Sequence, residues 1–352
     1  MLTLEFCVAG VMLISLIIYM LTGGADFGGG IWDLFATGSR AKAQRSLITE
    51  AIAPIWEANH VWLIVIIVLL FVAFPVAFAA ISTALHIPLT LMLIGIVLRG
   101  SAFVFRTYDD QSDTTHRRWS RVFAIGSVIT PVMLGITLGA VASGTIHVDV
   151  ESGQVDTDFI SAWLTPFPFA IGFFTLTLCA LLAAVYLTLE TDDTALQEDF
   201  RRRALIAAVS VGAMAGLSFI LSAEGAPTIR RGLGNAPWSI PFQILTGAVA
   251  VWAISAIWNR QFRLARILVP IQVTLIVFGW GLAQYPYLVT PDLTFSNTAA
   301  PDAVLRPMLI VLGVGGVLLV PAFWYLYAVF KGTARKTNQT EDEIGTYPDN
   351  SA

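Results

Sequence analysis

Charged residues are scarce in this chain. Asp, Glu, Lys and Arg make up only 12% of its 352 residues, whereas about 25% is usual in a soluble domain. Hydrophobic residues make up 56%. This composition excludes an ordinary soluble protein and predicts an all-α, polytopic membrane protein.

Cysteine and histidine are also scarce. Cys7 and Cys179 both lie in apolar runs without CxxC or Cys/His spacing, so we interpret them as small buried residues. Only two of the four histidines, His60 and His86, lie within apolar runs, which argues against a haem held by this chain alone. No P-loop or dinucleotide-binding motif occurs, and nothing indicates a nucleic-acid partner.

Long runs of apolar residues make up most of the sequence. Because a membrane span needs about 20 mostly apolar residues, the sequence predicts nine spans. A turn is expected near Ser82, between the second span and the third. We expect one integral membrane domain over 1–331 and a polar, disordered cytoplasmic tail over 332–352. The predicted spans are 5–24, 51–79, 82–106, 120–143, 160–189, 204–223, 240–258, 264–285 and 305–330.

The distribution of Lys and Arg among the loops predicts the orientation of the chain in the membrane. With the N-terminus outside, all Lys and Arg residues lie in cytoplasmic loops or the tail except four: Arg99, Arg230, Arg231 and Arg306. The positive-inside rule therefore predicts an outside N-terminus and a cytoplasmic C-terminus. The first run lacks a basic leading segment and a cleavage site, so it is expected to be a retained helix.

Four ionisable residues lie inside the first three spans: Asp26, Glu57, His60 and Arg99. A charged group at the centre of a membrane helix costs roughly 2.5–3.5 kcal/mol, so such groups usually have a function. Glu57 and His60 are three residues apart and share a helix face, which suits a proton relay. A structural ion pair between Glu57 and Arg99 is the alternative.

The glycines of GGADFGGG, around Asp26, are expected to end the first span and to let helix backbones approach closely. Trp56, next to Glu57, is the one tryptophan that we retain as a functional candidate.

Several motifs together resemble subunit II of the cytochrome bd-type ubiquinol oxidases. The resemblance covers nearly the whole chain and is strongest over 20–106 and 280–330. The forms PIWEANHVW and LRGSAFVFR favour the cyanide-insensitive branch. The motifs that carry the resemblance are GADFGGGIWDL, APIWEANHVWLI, LRGSAFVFR and YPYLVTPDLTFSNTAAPDAVLRPML.

The resemblance implies a heterodimer in the bacterial inner membrane that oxidises quinol and reduces dioxygen to water with cytoplasmic protons. Haems b and d would belong to the partner subunit I. Subunit II would be haem-free and built of two four-helix bundles plus one peripheral helix. Some family members also bind a quinone in subunit II, and small accessory subunits can be present.

Site residues also follow from the resemblance. The acid of the family's W-[D/E]-x-N motif, which is implicated in proton transfer, matches Glu57, with Trp56 and Asn59 beside it. Asp26, His60 and Arg99 would be supporting neighbours, although some family members have Gln or Glu where this chain has His60. Two alternatives stay open: a stand-alone secondary transporter or channel, and a quinone-binding anchor subunit of another respiratory complex.

Overall fold

The computed structural model describes residues 3–52, 56–108, 113–149 and 152–344. Among these residues, nine helices are long and apolar enough to cross a membrane. This confirms the prediction of an all-α polytopic membrane protein. The candidate spans are Leu4–Leu34, Trp56–Ala73, His86–Phe105, Arg118–Ser143, Pro166–Leu187, Thr194–Gly225, Ser239–Trp258, Phe262–Gln284 and Asp302–Leu326.

Fourteen helices and two short strands follow one another in the described part of the chain. In order they are α1 (Leu4–Leu34), α2 (Ala41–Ile52), α3 (Trp56–Asn59), α4 (Val61–Ala73), α5 (Pro75–Ala84), α6 (His86–Tyr108), α7 (Asp113–Ser143), α8 (Pro166–Leu187), α9 (Thr194–Gly225), α10 (Pro227–Asn235), α11 (Ser239–Trp258), α12 (Phe262–Gln284), β1 (Tyr287–Val289), β2 (Leu293–Thr294), α13 (Phe295–Thr298) and α14 (Asp302–Ile344).

The chain divides into two compact units, Met1–Ala300 and Pro301–Ala352. In the first unit, α1 packs against α4, α7 and α8, and α6 packs against α7. In the same unit, α8 packs against α9 and α12, and α11 packs against α9 and α12. Because α8 also packs against α7, the contacts run continuously from the first four spans to the next four, and the division into two four-helix bundles stays a prediction. The second unit holds the ninth span in α14, and disorder of the polar tail stays a prediction.

The first span is longer than predicted. The glycines around Asp26 were expected to end it near residue 24, which is wrong, because α1 continues to Leu34. Their expected second effect, close helix approach, is confirmed. A Cβ at Gly28 would collide with the carbonyl oxygen of Cys179 and lie 2.6 Å from the Cβ of Ala183, both on α8. Close packing on α8 therefore offsets the low helix propensity of glycine.

The chain between the second and third spans is broken at two places, and neither is Ser82. Phe74 leaves helical geometry, with φ −136° and ψ 59°, because the proline that follows disfavours a helical residue before it. Pro75 then occupies the first turn of α5, where its missing N–H is not needed. A second break falls at Leu85, before α6.

The segment between α12 and α14 forms a small ordered hairpin. β1 and β2 pair antiparallel, and the N–H of Thr290 donates a 3.1 Å hydrogen bond to the carbonyl of Val141 at the end of α7. Asp292 accepts a 3.0 Å hydrogen bond from the N–H of Val148 and lies 3.3 Å from Nδ1 of His147. The hairpin is thereby joined to the loop that follows α7.

Candidate functional site

A buried polar cluster lies between α1, α3 and α6. Asp26, on α1, is buried, and Asn59, the last residue of α3, donates a short hydrogen bond from its side-chain amide to the Asp26 carboxylate. Tyr19 is seven residues before Asp26, two helical turns away, and is also buried. One face of α1 thus supplies two polar side chains to the interior.

Arg99, on α6, is among the largest fully buried side chains of the described residues, with 1% of its surface exposed. Its guanidinium carbon lies 5.0 Å from the centre of the Phe27 ring and 5.2 Å from that of Phe123. Its Nε donates a 3.2 Å hydrogen bond to the hydroxyl of Ser127 on α7. Within the described part of the chain, its Nη2 has no hydrogen-bond partner.

A buried guanidinium of this kind needs a nearby negative charge, because the desolvation penalty of an uncompensated buried ion is several kcal/mol. Asp26 is buried on α1 and directly precedes Phe27, whose ring the Arg99 guanidinium contacts, so its carboxylate belongs to the same buried cluster. The backbone of α7 also approaches closely here, since a Cβ at Gly126 would lie only 3.2 Å from the Cβ of Arg99. Asp26 and Arg99 are therefore both enclosed by protein.

His60 and Trp56 close the side of the cluster formed by α3. Nδ1 of His60 lies 3.4 Å from the hydroxyl of Tyr19, and the ring contacts those of Phe27 and Trp56 at 5.9 Å and 6.3 Å between centres. The Trp56 ring covers Gly100, where a Cβ would lie 3.0 Å from it. These contacts fix α3 between α1 and α6.

Glu57 occupies a different place. Its side chain is exposed, although Asn59, two residues later, is buried. Glu57 forms no ion pair with Arg99 in the part of the chain that the structure describes, so the structural-pair alternative finds no support. Glu57 lies at the outer edge of the cluster. The other five predicted site residues lie in the cluster or line it: Asp26, Trp56, Asn59, His60 and Arg99.

Several residues of the cluster were not predicted from the sequence. Phe27 directly follows Asp26, and Tyr19 precedes it by two turns, so their positions carried a usable signal. Phe123 and Ser127 carried none, because they lie on α7 and meet Arg99 only when α6 and α7 pack together.

The chemistry available is acid–base chemistry. Asp26 and His60 can each bind or release a proton, and Tyr19 and Asn59 link them to neighbouring polar atoms. Among the described residues, no group of three or more His, Cys, Asp or Glu side chains is placed to hold a metal ion.

Nδ1 of His86 is hydrogen-bonded to the Thr83 carbonyl at 2.9 Å, at the start of α6.

Comparison with known proteins gives a consistent result. The family model described as cytochrome bd terminal oxidase subunit II matches residues 4–330. A putative cytochrome bd menaquinol oxidase subunit II of Bacillus subtilis (strain 168) is 25% identical over 335 residues, covering 92% of this chain and 94% of the relative. Subunit 2 of the cytochrome bd-I ubiquinol oxidase of Escherichia coli (strain K12) is 28% identical over 183 residues, covering 52% and 47% of the two chains.

A solved structure shows the same fold. The bd oxidase from Geobacillus thermodenitrificans contains a chain that matches with a TM-score of 0.77 and 22% sequence identity, covering 93% of this chain and 98% of that one.

Proposed function

The chain belongs to the cytochrome bd terminal oxidase subunit II family, a family of quinol oxidase subunits, and from this premise we propose that it is the haem-free partner of a haem-bearing subunit I. Together the two subunits oxidise quinol and reduce dioxygen to water, and this chain admits protons from the cytoplasm through Glu57. Membership of the family sets aside the transporter and anchor-subunit alternatives.

The observation that carries this proposal is the exposed carboxylate of Glu57 on an apolar helix bundle. Ile64, Ile67 and Phe71, on α4 beyond it, are also exposed, so this face is covered by lipid or by another protein. A carboxylate against hydrocarbon costs several kcal/mol, whereas polar groups or water at a subunit interface stabilise it. The face with Glu57 therefore contacts subunit I.

The buried cluster acts as the support of this acid. The bond from Asn59 to Asp26 and the packing of Trp56 on Gly100 hold α3 against α1 and α6. Because α3 has only four residues, these anchors determine where Glu57 points. Asp26, Asn59 and Trp56 are thus positioning residues, and Glu57 carries the proton.

The protons come from the cytoplasmic side. Glu57 follows soon after α2, an amphipathic helix that carries Lys42 and Arg45. By the positive-inside rule these basic residues are cytoplasmic, so the C-terminus is cytoplasmic and the N-terminus is outside. Glu57 then lies a short distance from cytoplasmic water.

Haems b and d belong to subunit I in this proposal, and they supply the reduction of dioxygen when bound there. His60 is packed against the rings of Tyr19 and Trp56. A bound quinone in this subunit and small accessory subunits are compatible with the proposal.

Glu57→Gln tests the proton role. The variant is expected to assemble with normal haem b and d content. Its quinol oxidase turnover is expected to fall roughly 100-fold or more, because a positioned acid–base group contributes about 100- to 10,000-fold. The measurement is oxygen consumption per haem d with excess quinol.

Glu50→Gln is the matched control, because Glu50 is an exposed glutamate on α2 whose partner is the Ser46 hydroxyl. It is expected to keep full turnover. Full activity in Glu57→Gln would remove the relay role, and loss of haem d would indicate a structural role at the subunit interface instead.

A further inference from the structure

Three arginines surround one carboxylate where α9 begins and α11 ends. Arg201 holds Glu198 in a two-point contact, with its Nη2 and Nε at 2.6 and 2.8 Å from the two oxygens. Arg202 and Arg260 are more loosely placed, with Nε at 3.6 and 3.4 Å from the nearer oxygen of Glu198. We name Arg201, Arg202, Arg260 and Glu198 the arginine cluster.

The arginine cluster carries an excess of positive charge. The carboxylate of Glu198 balances one of the three guanidinium groups, so two positive charges remain unbalanced. Arg202 and Arg260 have 72% and 65% of their side chains exposed. Since each guanidinium has five N–H donors, most of their donors are available to an anion from outside.

The backbone at Arg260 determines where its side chain lies. Arg260 has φ +58°, in the left-handed region that glycine usually occupies. It ends α11 in a Schellman turn, in which the N–H of Gln261 bonds the carbonyl of Ala256 at 2.8 Å and the N–H of Arg260 bonds that of Ile257 at 3.2 Å. This turn places the Arg260 side chain beside Glu198 on α9, next to Arg202.

The surroundings place this cluster at the boundary between lipid and water. Trp258, the last residue of α11, is 67% exposed, and its carbonyl accepts a 3.2 Å hydrogen bond from Arg201. One to two turns earlier on the same helix, Val251 and Trp252 are exposed apolar residues. An exposed tryptophan between basic residues and an apolar helix face is typical of the membrane interface.

We propose that Arg202 and Arg260 bind the phosphate of an anionic phospholipid. Trp258 lies at the level of the lipid glycerol, and the acyl chains follow the exposed face of α11. The arrangement suits a lipid rather than a soluble phosphate, because the apolar surface next to the two arginines would otherwise be left uncovered. This inference is independent of the role of Glu57.

The test is lipid binding by the purified oxidase complex, delipidated in a neutral detergent and titrated with dioleoyl phosphatidylglycerol. Bound lipid is counted by native mass spectrometry, with dioleoyl phosphatidylcholine as the zwitterionic comparison. Each basic side chain near a membrane contributes roughly a factor of five, so Arg202→Gln/Arg260→Gln is expected to weaken one phosphatidylglycerol site about 30-fold.

Arg231→Gln/Arg306→Gln is the matched control, because it removes two exposed arginines, on α10 and in the first turns of α14, that are predicted to lie on the opposite side of the membrane. It is expected to leave this site unchanged. Equal binding by the wild type and the Arg202/Arg260 variant would overturn the proposal. Displacement of the lipid by an equal concentration of glycerol phosphate would also overturn it, because a soluble phosphate would then be the ligand.

Two further variants separate lipid binding from a purely structural role. Glu198→Gln removes the negative charge of the cluster and is expected to tighten phosphatidylglycerol binding several-fold. Arg260→Gly relieves the left-handed backbone and is expected to weaken binding about fivefold without lowering the melting temperature. Weaker binding in Glu198→Gln, or undiminished binding in Arg260→Gly, would show that the arginines serve only to join α9 to α11.

Discussion

Removing the charge of Asp26 should destabilise the protein, because it leaves the guanidinium of Arg99 buried without its negative neighbour. Arg99 is 1% exposed, and its hydrogen-bond partner Ser127 is uncharged. Leaving a buried charge uncompensated costs about 3–5 kcal/mol. We therefore expect Asp26→Leu to lower the free energy of unfolding by this amount.

The expected shift in melting temperature follows from the size of the chain. With an unfolding entropy of about 2.1 cal/mol/K per residue, 352 residues give about 0.7 kcal/mol/K. A loss of 3–5 kcal/mol then lowers the melting temperature by about 4–7 °C. The assay is the thermal unfolding of the purified complex, followed by intrinsic fluorescence.

The double variant Asp26→Leu/Arg99→Leu decides whether the pair explains the loss. Replacing both charges by apolar side chains is often close to neutral, so the double variant should melt higher than Asp26→Leu alone. Arg306→Leu is the control, because its pair with Asp302 at 3.0 Å is exposed and worth about 0.5 kcal/mol or less. Strictly additive losses in the double variant would refute the reasoning.

Two further predictions concern the packing and the loops. Gly28→Ala places a Cβ against the backbone of α8 and should lower the yield of assembled complex, measured by haem absorbance, by at least half. Gly10→Ala is the control, because nothing lies within 4 Å of its added Cβ, and it should assemble normally. Asp292→Ala removes the carboxylate that accepts the hydrogen bond of the Val148 N–H, so hydrogen exchange at Val148 should become about tenfold faster. His147→Gln keeps that carboxylate and should leave the exchange rate of Val148 unchanged. Equal exchange rates in the two variants would contradict this hydrogen bond.

The number and type of the helices could be predicted from the sequence, because membrane spans depend on local composition. Their ends were less predictable. The glycines near Asp26 would end a helix in water, but packing of Gly28 on α8 keeps α1 helical to Leu34. The break at Phe74 depends on Pro75, whereas the run of apolar residues continues through both and suggests no interruption there.

The residues of the candidate site could be named from the sequence, but their arrangement could not. Spacing predicts that Glu57 and His60 share one helix face, but α3 ends at Asn59 and His60 follows it. Spacing also does not show which way this part of the chain faces. Asn59 reaches Asp26, and Glu57 is left exposed, because of how α3 packs between α1 and α6. The rings around Arg99 come partly from α7, and only tertiary packing brings them to it.

Proton uptake by the complex tests the central role of Glu57 most directly. The fully reduced complex is mixed with dioxygen in a weakly buffered solution containing a pH indicator, and proton uptake and haem oxidation are followed together. We expect Glu57→Gln to slow proton uptake at least about tenfold relative to the wild type, with haem content unchanged. Uptake at the wild-type rate in Glu57→Gln would contradict the account.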